Sequence, residues 1–395
     1  MRRLLVSVFV ASGLVLIGAG AASAEQAPTG GAAQAAAGKK VCKITDERLG
    51  ELSGLVATED GFVTVNDSSD QQSRKRVFFL DDKCKVVDDV AYGGDGPRDT
   101  EDMALSPDGK TLWIADIGDN LKQRNTIGLW SMPADGSKKP KIHRLSYPAG
   151  KHDAEALLIN GDGTPIIVTK EFGRAASIYT PTAELQTGNS EGVPLRKVGE
   201  VTVPPSETSG NTLARIGRAT IDGGAVARDG SKVVLRTYTD ALEWDVQNGD
   251  VVAALKGKPR VTPLPDEPFG EAISFSPDGQ YLYTVSDMGD VQDDVDNFIL
   301  RYTPAAQVAD TKAAAAGGAG GDKSGPSWYD KLTINDITYI VGGVGVFGAI
   351  LVGLGIFGIM RSRKRPLAEP AAKGSGPDGP KPADAETELL TVGGA

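Results

Sequence analysis

Five of the Asp-Gly pairs in this 395-residue chain divide its middle into segments of similar length. Each pair stands between two apolar runs, where a tight hairpin turn needs the positive φ that glycine adopts without steric cost. A hairpin that recurs every ~40–50 residues is typical of the blades of a β-propeller. The pairs are Asp60-Gly61, Asp108-Gly109, Asp162-Gly163, Asp229-Gly230 and Asp278-Gly279.

The repeat predicts an all-β fold, a β-propeller of five blades over residues 40–303. A six-bladed ring is the alternative, with a further blade in the longest step, between Gly163 and Gly230. That step exceeds its neighbours by too few residues for four strands of ~5 residues each. The fifth blade lacks a fourth strand, and residues 40–45 have no blade of their own. We therefore expect this segment to pair with blade 5 and close the ring, which removes two exposed edges.

The first residues of the chain predict export. Arg2 and Arg3 precede an apolar run, and Ala22-Ser23-Ala24 fits the small-residue pattern of a signal-peptide cleavage site. Residues 1–24 are therefore expected to form a signal peptide, with an uncleaved anchor as the alternative.

A second apolar segment predicts a membrane anchor near the other end. The run from Tyr339 to Met360 carries no charged residue, and it is long enough to cross ~30 Å of hydrocarbon as a helix. Arg361 and Arg363 follow at once and mark the cytoplasmic side. We predict a single-pass plasma-membrane protein whose large domain lies outside the cell. Its parts would be a signal peptide (1–24), a flexible spacer (25–39), the propeller (40–303), an Ala/Gly-rich tether (304–337), a transmembrane helix (338–360) and a cytoplasmic tail (361–395).

Small residues recur on one face of the predicted anchor. Gly345, Ala349 and Gly353 follow at four-residue spacing, which allows two such helices to approach closely. The sequence is consistent with a homodimer through this helix or with a Gly-rich span that has no partner.

Composition narrows the classes of partner. The net charge is −10 and the pI is about 4.9. Nucleic-acid binding through phosphates needs a basic face, and the largest cluster of basic residues lies beside the predicted membrane helix. We therefore predict no nucleic-acid partner, since an acidic protein is better suited to cations. Cys42 and Cys84 are the only cysteines, and an exported domain permits a disulfide between them, with two free thiols as the alternative.

Acidic residues recur at one position of the repeat. Eight residues before the turn glycines stand Ser53, Glu101, Glu155, Asp222 and Glu271. This position begins the first strand of each blade, which is the innermost strand of a propeller blade. The acidic side chains are therefore expected to gather around one mouth of the central channel, with Lys170, Arg174 and Arg236 among them.

The ends of the second strands add acids to the same mouth. Residues 67–70, 116–119 and 287–290 share the pattern Asp-x-Gly/Ser-Asp, in which x is any residue. Ca²⁺ takes six to eight oxygen ligands, many of them from carboxylates, so we predict a calcium site. In the alternative, such aspartates accept backbone hydrogen bonds and shape turns. The predicted ligands are Glu101, Asp116, Asp119, Glu155, Asp222, Glu271, Asp287 and Asp290.

Short motifs resemble those of known propellers. Ser-Pro-Asp-Gly at 106–109 and 276–279 resembles the turn of WD40-like bacterial propellers, and the strand starts at 101–105, 154–157 and 270–273 resemble those of exported phytase-like propellers. In phytase-like members, calcium and basic residues at one channel mouth handle phosphate esters. The resemblance implies cation binding by Glu101, Glu155, Asp222 and Glu271, and binding of a small anionic ligand by Lys170 or Arg236. Arg174, which is expected at the same mouth, is a further candidate for ligand binding.

The functional prediction is a membrane-tethered extracellular propeller that binds a ligand or a protein partner at an acidic, calcium-occupied mouth. The alternatives are a calcium-dependent hydrolase of phosphate or other esters, and a structural protein of the cell envelope. The chain has two histidines and no nucleophile elbow, P-loop or dinucleotide fingerprint. The sequence therefore leaves open whether the protein is an enzyme.

Overall fold

The structure is a computed structural model that describes residues 36–308, apart from Arg174, Asp266 and residues 290–294. The predicted signal peptide, transmembrane helix and cytoplasmic tail lie outside the described residues, as do most of the predicted spacer and tether. Within the described part, the helices are too short to span a bilayer.

The described residues form twenty strands and two short helices. The strands are β1 (Lys39–Lys43), β2 (Leu52–Thr58), β3 (Gly61–Asn66), β4 (Arg76–Asp81), β5 (Val86–Ala91), β6 (Asp102–Leu105), β7 (Thr111–Asp116), β8 (Ile127–Pro133), β9 (Lys141–Ser146), β10 (Ala154–Ile159), β11 (Pro165–Thr169), β12 (Ala176–Pro181), β13 (Val193–Val201), β14 (Ile221–Val226), β15 (Lys232–Thr237), β16 (Asp240–Asp245), β17 (Arg260–Pro263), β18 (Gly270–Phe275), β19 (Leu282–Ser286) and β20 (Phe298–Tyr302). The helices are α1 (Thr212–Ile216), between β13 and β14, and α2 (Val251–Ala254), between β16 and β17.

The strands group into five four-stranded antiparallel units. Strands β2 to β5 form the first unit and β14 to β17 the fourth, each in chain order. The second and third units, β6 to β9 and β10 to β13, join into one eight-stranded sheet, because β13 pairs in parallel with the end of β9 at Val193 and Leu145. The fifth unit has the order β18, β19, β20, β1. Each unit contains one of the five Asp-Gly turns.

The first strands of the five units contact one another in a closed ring. β2 contacts β6, β6 contacts β10, β10 contacts β14, β14 contacts β18, and β18 returns to β2. Antiparallel four-stranded units arranged around their first strands form a β-propeller, which supports the fold class predicted from the repeat. The long step between Gly163 and Gly230 holds the extended strand β13 and helix α1, and no further blade is formed there by the described residues.

The N-terminal strand closes the ring as expected. β1 pairs antiparallel with β20, with Lys40 opposite Leu300. Cys42 of β1 is joined by a disulfide to Cys84, in the turn between β4 and β5, with a Cα–Cα distance of 5.6 Å. The last blade is thus completed by a strand from the other end of the domain, and that strand is fastened covalently to the first blade.

Apolar side chains fill the spaces between neighbouring blades. Between the third and fourth blades, Leu158 and Val168 pack in one cluster with Val233, Leu235 and Trp244. Successive side chains of a strand point to opposite faces of the sheet, and both faces of a blade are covered, so strands such as β10 and β11 are buried along their whole length. Burial of each such side chain contributes roughly 1.5–3 kcal/mol. This packing holds the first strands rigidly around the channel.

Candidate functional site

Three of the predicted acids meet at the end of the channel where the first strands begin, which we call the acidic mouth. One carboxylate oxygen from each of Glu101, Glu155 and Glu271 lies within 4.8 Å of the other two. These side chains come from the second, third and fifth blades, and they are only 3%, 1% and 6% exposed. We refer to them as the inner carboxylate group. Their convergence could not follow from any one blade, because each blade contributes a single member.

A second set of carboxylates adjoins the first. Asp67, Asp99 and Glu101 also place one oxygen each within 4.8 Å of one another, and we call them the outer carboxylate group. Asp67 follows β3 and Asp99 precedes β6, and both are partly exposed. Asp67 and Asp99 are thus nearer to the solvent than the buried Glu101, and we call this more exposed side the entrance to the inner group.

Strand irregularities explain why the repeated position faces the channel. The pairing of the first and second strands shifts register at Ser53, Glu155, Asp222 and Glu271, so that each of these residues is an unpaired bulge. A β-bulge re-aims its side chain relative to the regular alternation of the strand. The bulge thus turns these side chains away from the apolar space between blades. In the second blade, β6 begins directly after Glu101, whose backbone N–H donates to the Ala115 carbonyl at 2.9 Å.

Gly118 lets a loop lie directly against both carboxylate groups. A Cβ atom at this position would lie 1.9 Å from Glu101 Oε1 and 2.6 Å from Asp99 Oδ2. No side chain fits at that separation unless the carboxylates move. The glycine of the Asp-x-Gly-Asp pattern is therefore required by close approach to the acids.

One basic side chain enters the inner carboxylate group. The Nζ atom of Lys170, which follows β11, lies 2.6 Å from Glu155 Oε1. Burial alone would lower the pKa of Lys170, but the charges of Glu155 and Glu271 raise it above its usual value. The ammonium group therefore stays charged and compensates part of the negative charge of the group.

Two oxygens of the inner group have no partner. Among the described residues, none donates a hydrogen bond to Glu155 Oε2 or to Glu271 Oε2, although both atoms are buried. A buried polar atom without a hydrogen bond costs free energy. These two oxygens therefore need a proton or a cation that comes from outside the group.

The raised pKa values of the acids also indicate that the two carboxylate groups lack compensating positive charge. Burial, with the charges of neighbouring carboxylates, raises the pKa of Glu101 and Glu271 well above its usual value, and the pKa of Glu155 is raised by burial in spite of Lys170. Burial, with the charges of Glu155 and Asp287, raises the pKa of Asp67 to about 6. Burial, with the charge of Asp67, raises the pKa of Asp99 to about 7. Carboxylates this close ionise together only when a cation is present. Without a cation, one carboxyl group of a neighbouring pair keeps its proton and donates it in a hydrogen bond to the other, as in the pair Glu101 and Glu155.

Asp102, the neighbour of Glu101, shows what a structural acid in this channel looks like. Its Oδ2 atom accepts the N–H groups of Leu157 on β10 (2.8 Å) and Gly224 on β14 (3.2 Å), and its Oδ1 atom accepts the N–H of Met103 (2.8 Å). The carboxylate thereby ties three first strands together across the channel. Its complete set of partners contrasts with the unpartnered oxygens of Glu155 and Glu271.

Asp116 lies at the mouth but outside both carboxylate groups. Its Oδ1 atom accepts the backbone N–H groups of Arg98 and Asp99 at 3.2 Å each, and a guanidinium N–H of Arg124 at 2.7 Å. This is the turn-shaping arrangement that the sequence left open as the alternative. Asp116 therefore supports the loop that carries Asp99.

Asp119 and Asp287 also accept local hydrogen bonds. The Asp119 carboxylate accepts the N–H groups of Gln123 at 2.7 Å and Arg124 at 2.9 Å, and Asp287 accepts the N–H of Gly289 at 2.7 Å. The charge of Asp287 nevertheless acts on Asp67 and Glu271, which places it near both groups. Arg174 and Asp290 lie outside the described residues.

Arg236 is deeply buried in an ion-pair cluster of its own. The side chain is 0% exposed; its Nη2 atom lies 2.5 Å from Glu267 Oε2, and its Nε atom lies 3.8 Å from Asp222 Oδ1. Its Nη1 atom donates to the Ala272 carbonyl at 2.9 Å. Asp222, a predicted metal ligand, therefore faces Arg236, and the guanidinium is enclosed by protein rather than presented to a ligand.

Sequence reasoning did not select Asp99 or Glu267, and it noted Asp67 only as part of a repeated pattern. Asp67 occupies the position of Asp116 and Asp287 in that pattern, so the repeat could have identified it. Asp99 stands ten residues before its turn glycine, where the first and third blades have Glu51 and Asp153, whereas Glu267 occupies a position at which no other blade has an acid. Only the folded loops bring them to the acids.

The solved structures that this chain resembles are distant from it in sequence. The PQQ-bound form of aldose sugar dehydrogenase from Streptomyces coelicolor is 13% identical over 67% of this chain and 96% of that chain, with a TM-score of 0.34. Kuenenia stuttgartiensis hydrazine synthase is 13% identical over 66% of this chain and 97% of that chain, with a TM-score of 0.33. Neither the protein-family models nor the curated proteins searched include a match. Function must therefore be argued from the residues of the acidic mouth.

Proposed function

We propose that the protein binds a divalent cation, Ca²⁺, at the inner carboxylate group, and that this occupied mouth is where it binds a ligand or a protein partner. The observation that carries the proposal is the convergence of three buried carboxylates with two unpartnered oxygens, Glu155 Oε2 and Glu271 Oε2. A cation bound there gives both oxygens a partner and removes the repulsion between the acids. Lys170 alone balances one of the three charges.

The chemistry of the ligands favours Ca²⁺ over transition metals. The inner and outer carboxylate groups offer oxygen atoms only, and hard oxygen donors suit Ca²⁺, Mg²⁺ and Mn²⁺ rather than Zn²⁺ or Cu²⁺. The two histidines are engaged elsewhere: His143 with the Ser131 hydroxyl at 2.8 Å and His152 with the Tyr179 hydroxyl at 3.2 Å. Ca²⁺ accepts six to eight oxygens in a flexible arrangement. Asp67 and Asp99 at the entrance provide further oxygens for such an ion.

Calcium binding is tested by calorimetric titration and by thermal unfolding in EGTA and in excess Ca²⁺. We expect Ca²⁺ to raise the unfolding midpoint, because a ligand that binds only the folded state stabilises it. Glu101→Gln and Glu271→Gln should each weaken Ca²⁺ binding by on the order of tenfold or more, since each removes a charged ligand. Asp108→Asn, in a turn at the other end of the blades, is the matched control and should bind like the wild type.

Assays for phosphate-ester turnover on the same protein distinguish a binding function from a catalytic one. Ca²⁺ binding without turnover of phosphate esters supports the binding function. Turnover that is lost in EGTA and in Glu101→Gln would instead assign the mouth to a hydrolase. Of the predicted anion-binding residues that the structure describes, Arg236 is buried, so Lys170 remains as the candidate for contact with an anionic substrate. Absence of any Ca²⁺ effect in the wild-type protein would contradict the proposed site.

We also propose that the propeller is exported and held at the plasma membrane. The proposal rests on the sequence patterns at residues 1–24 and 338–360, and the Cys42–Cys84 disulfide fits an oxidising compartment outside the cell. A chain that lacks residues 338–395 should appear in the medium, whereas the full-length chain should sediment with membranes. Retention of the shortened chain on the cells would argue against the anchor.

A further inference from the structure

Lys170 occupies the inner side of the acidic mouth. Its side chain is only 12% exposed, and its Nζ atom lies 2.6 Å from Glu155 Oε1. Acids from the two following blades, Asp222 and Glu271, act on the same ammonium group, and the Tyr238 ring centroid lies 6.0 Å from it. The lysine is therefore a cation tethered among the acids rather than a surface residue that touches one of them.

The tethered ammonium and the proposed metal ion share one carboxylate. The ammonium group of Lys170 forms an ion pair with Oε1 of Glu155, and Oε2 of the same carboxylate is one of the two unpartnered oxygens. An ion bound at Oε2 would lie across a single carboxylate from the ammonium. Two positive charges this close repel strongly inside a protein, where screening by water is weak.

We propose that Lys170 is a built-in competitor of the metal ion, which weakens cation binding at the inner carboxylate group and so sets its affinity. The inference rests on the proposed calcium site and specifies how that site is tuned. With Lys170 present, the group offers the ion two net negative charges instead of three. Because repulsion scales with the charge of the ion, Lys170 also disfavours trivalent ions relative to Ca²⁺.

The test compares substitutions at Lys170 in the full-length protein, with Ca²⁺ and Tb³⁺ as the probes. Lys170→Met removes the charge and keeps a side chain of similar length, whereas Lys170→Arg keeps the charge. We expect Lys170→Met to bind Ca²⁺ on the order of tenfold more tightly than the wild type, and Tb³⁺ with a larger gain. Lys170→Arg should stay close to the wild type. A gain in affinity distinguishes charge competition from a structural role, because damage to the site can only weaken binding.

The outcomes separate this inference from the proposed function. If the wild type binds Ca²⁺ and Lys170→Met binds it equally or less well, the competitor role is overturned and the calcium site stands. If only Lys170→Met binds Ca²⁺, Lys170 is itself the resident cation, so the competitor role is upheld and the proposed function of the wild type fails. If neither binds, both fail. Lys170→Gln, which is neutral but polar, gives the same comparison should Lys170→Met not fold.

Discussion

Replacement of Arg236 by methionine is expected to lower the free energy of unfolding by about 3–5 kcal/mol. Arg236 is fully buried between Glu267 and Asp222, at 2.5 Å and 3.8 Å. Its removal leaves two carboxylates in the protein interior without the charge that compensates them. Equilibrium unfolding in denaturant measures the loss, and unchanged far-ultraviolet circular dichroism shows whether the blades persist.

Two further variants identify the cause of that loss. Arg228→Met removes an arginine from a solvent-exposed pair with Glu59, and such pairs contribute within about 1 kcal/mol. Adding Glu267→Gln to Arg236→Met should restore part of the stability, since it neutralises one of the stranded carboxylates. An Arg236→Met protein as stable as the Arg228→Met control would show that the buried cluster does not hold the fourth and fifth blades together.

The blade count could be predicted because its signals are local. The turn glycines at 109, 163, 230 and 279 all adopt positive φ, between 67° and 87°, and the aspartate before each glycine accepts a backbone N–H two residues later. Both features depend only on adjacent residues, so they can be predicted without knowledge of the tertiary structure. The closing strand was predictable for a related reason: blade 5 lacked one strand, and the N-terminal segment lacked a blade.

The acidic mouth was predictable as a region but not as a set of contacts. Glu101, Glu155 and Glu271 share one repeat position, and the closed ring of first strands brings them together. The separate aspartate pattern at the ends of the second strands selected Asp116 and Asp119, whose carboxylates accept hydrogen bonds from neighbouring backbone N–H groups. An aspartate at a strand end has the same sequence signature whether it holds a turn or faces a ligand.

Long-range pairings explain the remaining differences. Asp222 occupies the same bulge position as Glu155, yet it faces Arg236, because Arg236 lies near the end of the neighbouring strand β15, paired with Gly223 beside the bulge. Gly270 makes this arrangement possible, since a Cβ atom there would lie 1.6 Å from Arg236 Nη2. Glu267 completes the cluster from the loop before β18, at a position where the other blades have no acid. The partner of each buried charge depends on which residues the fold brings together, so it cannot be predicted from the sequence of a single repeat unit.

Stability without a cation is expected to fall as pH rises from about 4 to about 7. Asp67 and Asp99 have a usual pKa of 3.8, and burial raises it to about 6 and about 7 in the folded protein. Between these values the folded state binds more protons than the unfolded state, so each rise in pH favours unfolding. Both groups are partly exposed, which reduces the loss to on the order of 2–3 kcal/mol.

Calcium should reverse this trend, because it binds the ionised carboxylates and competes with protons. At a free concentration of 100 to 1,000 times its dissociation constant, Ca²⁺ should add about 3–4 kcal/mol at pH 7, and it should add little near pH 4, where the acids hold protons. Denaturant unfolding at pH 4, 5.5 and 7, in EGTA and in excess Ca²⁺, measures both effects. The Asp67→Asn/Asp99→Asn protein is the control, and its stability in EGTA should depend less on pH over this range. Stability that rises with pH in EGTA would show that the acids are already compensated within the protein, and the need for an external cation would disappear.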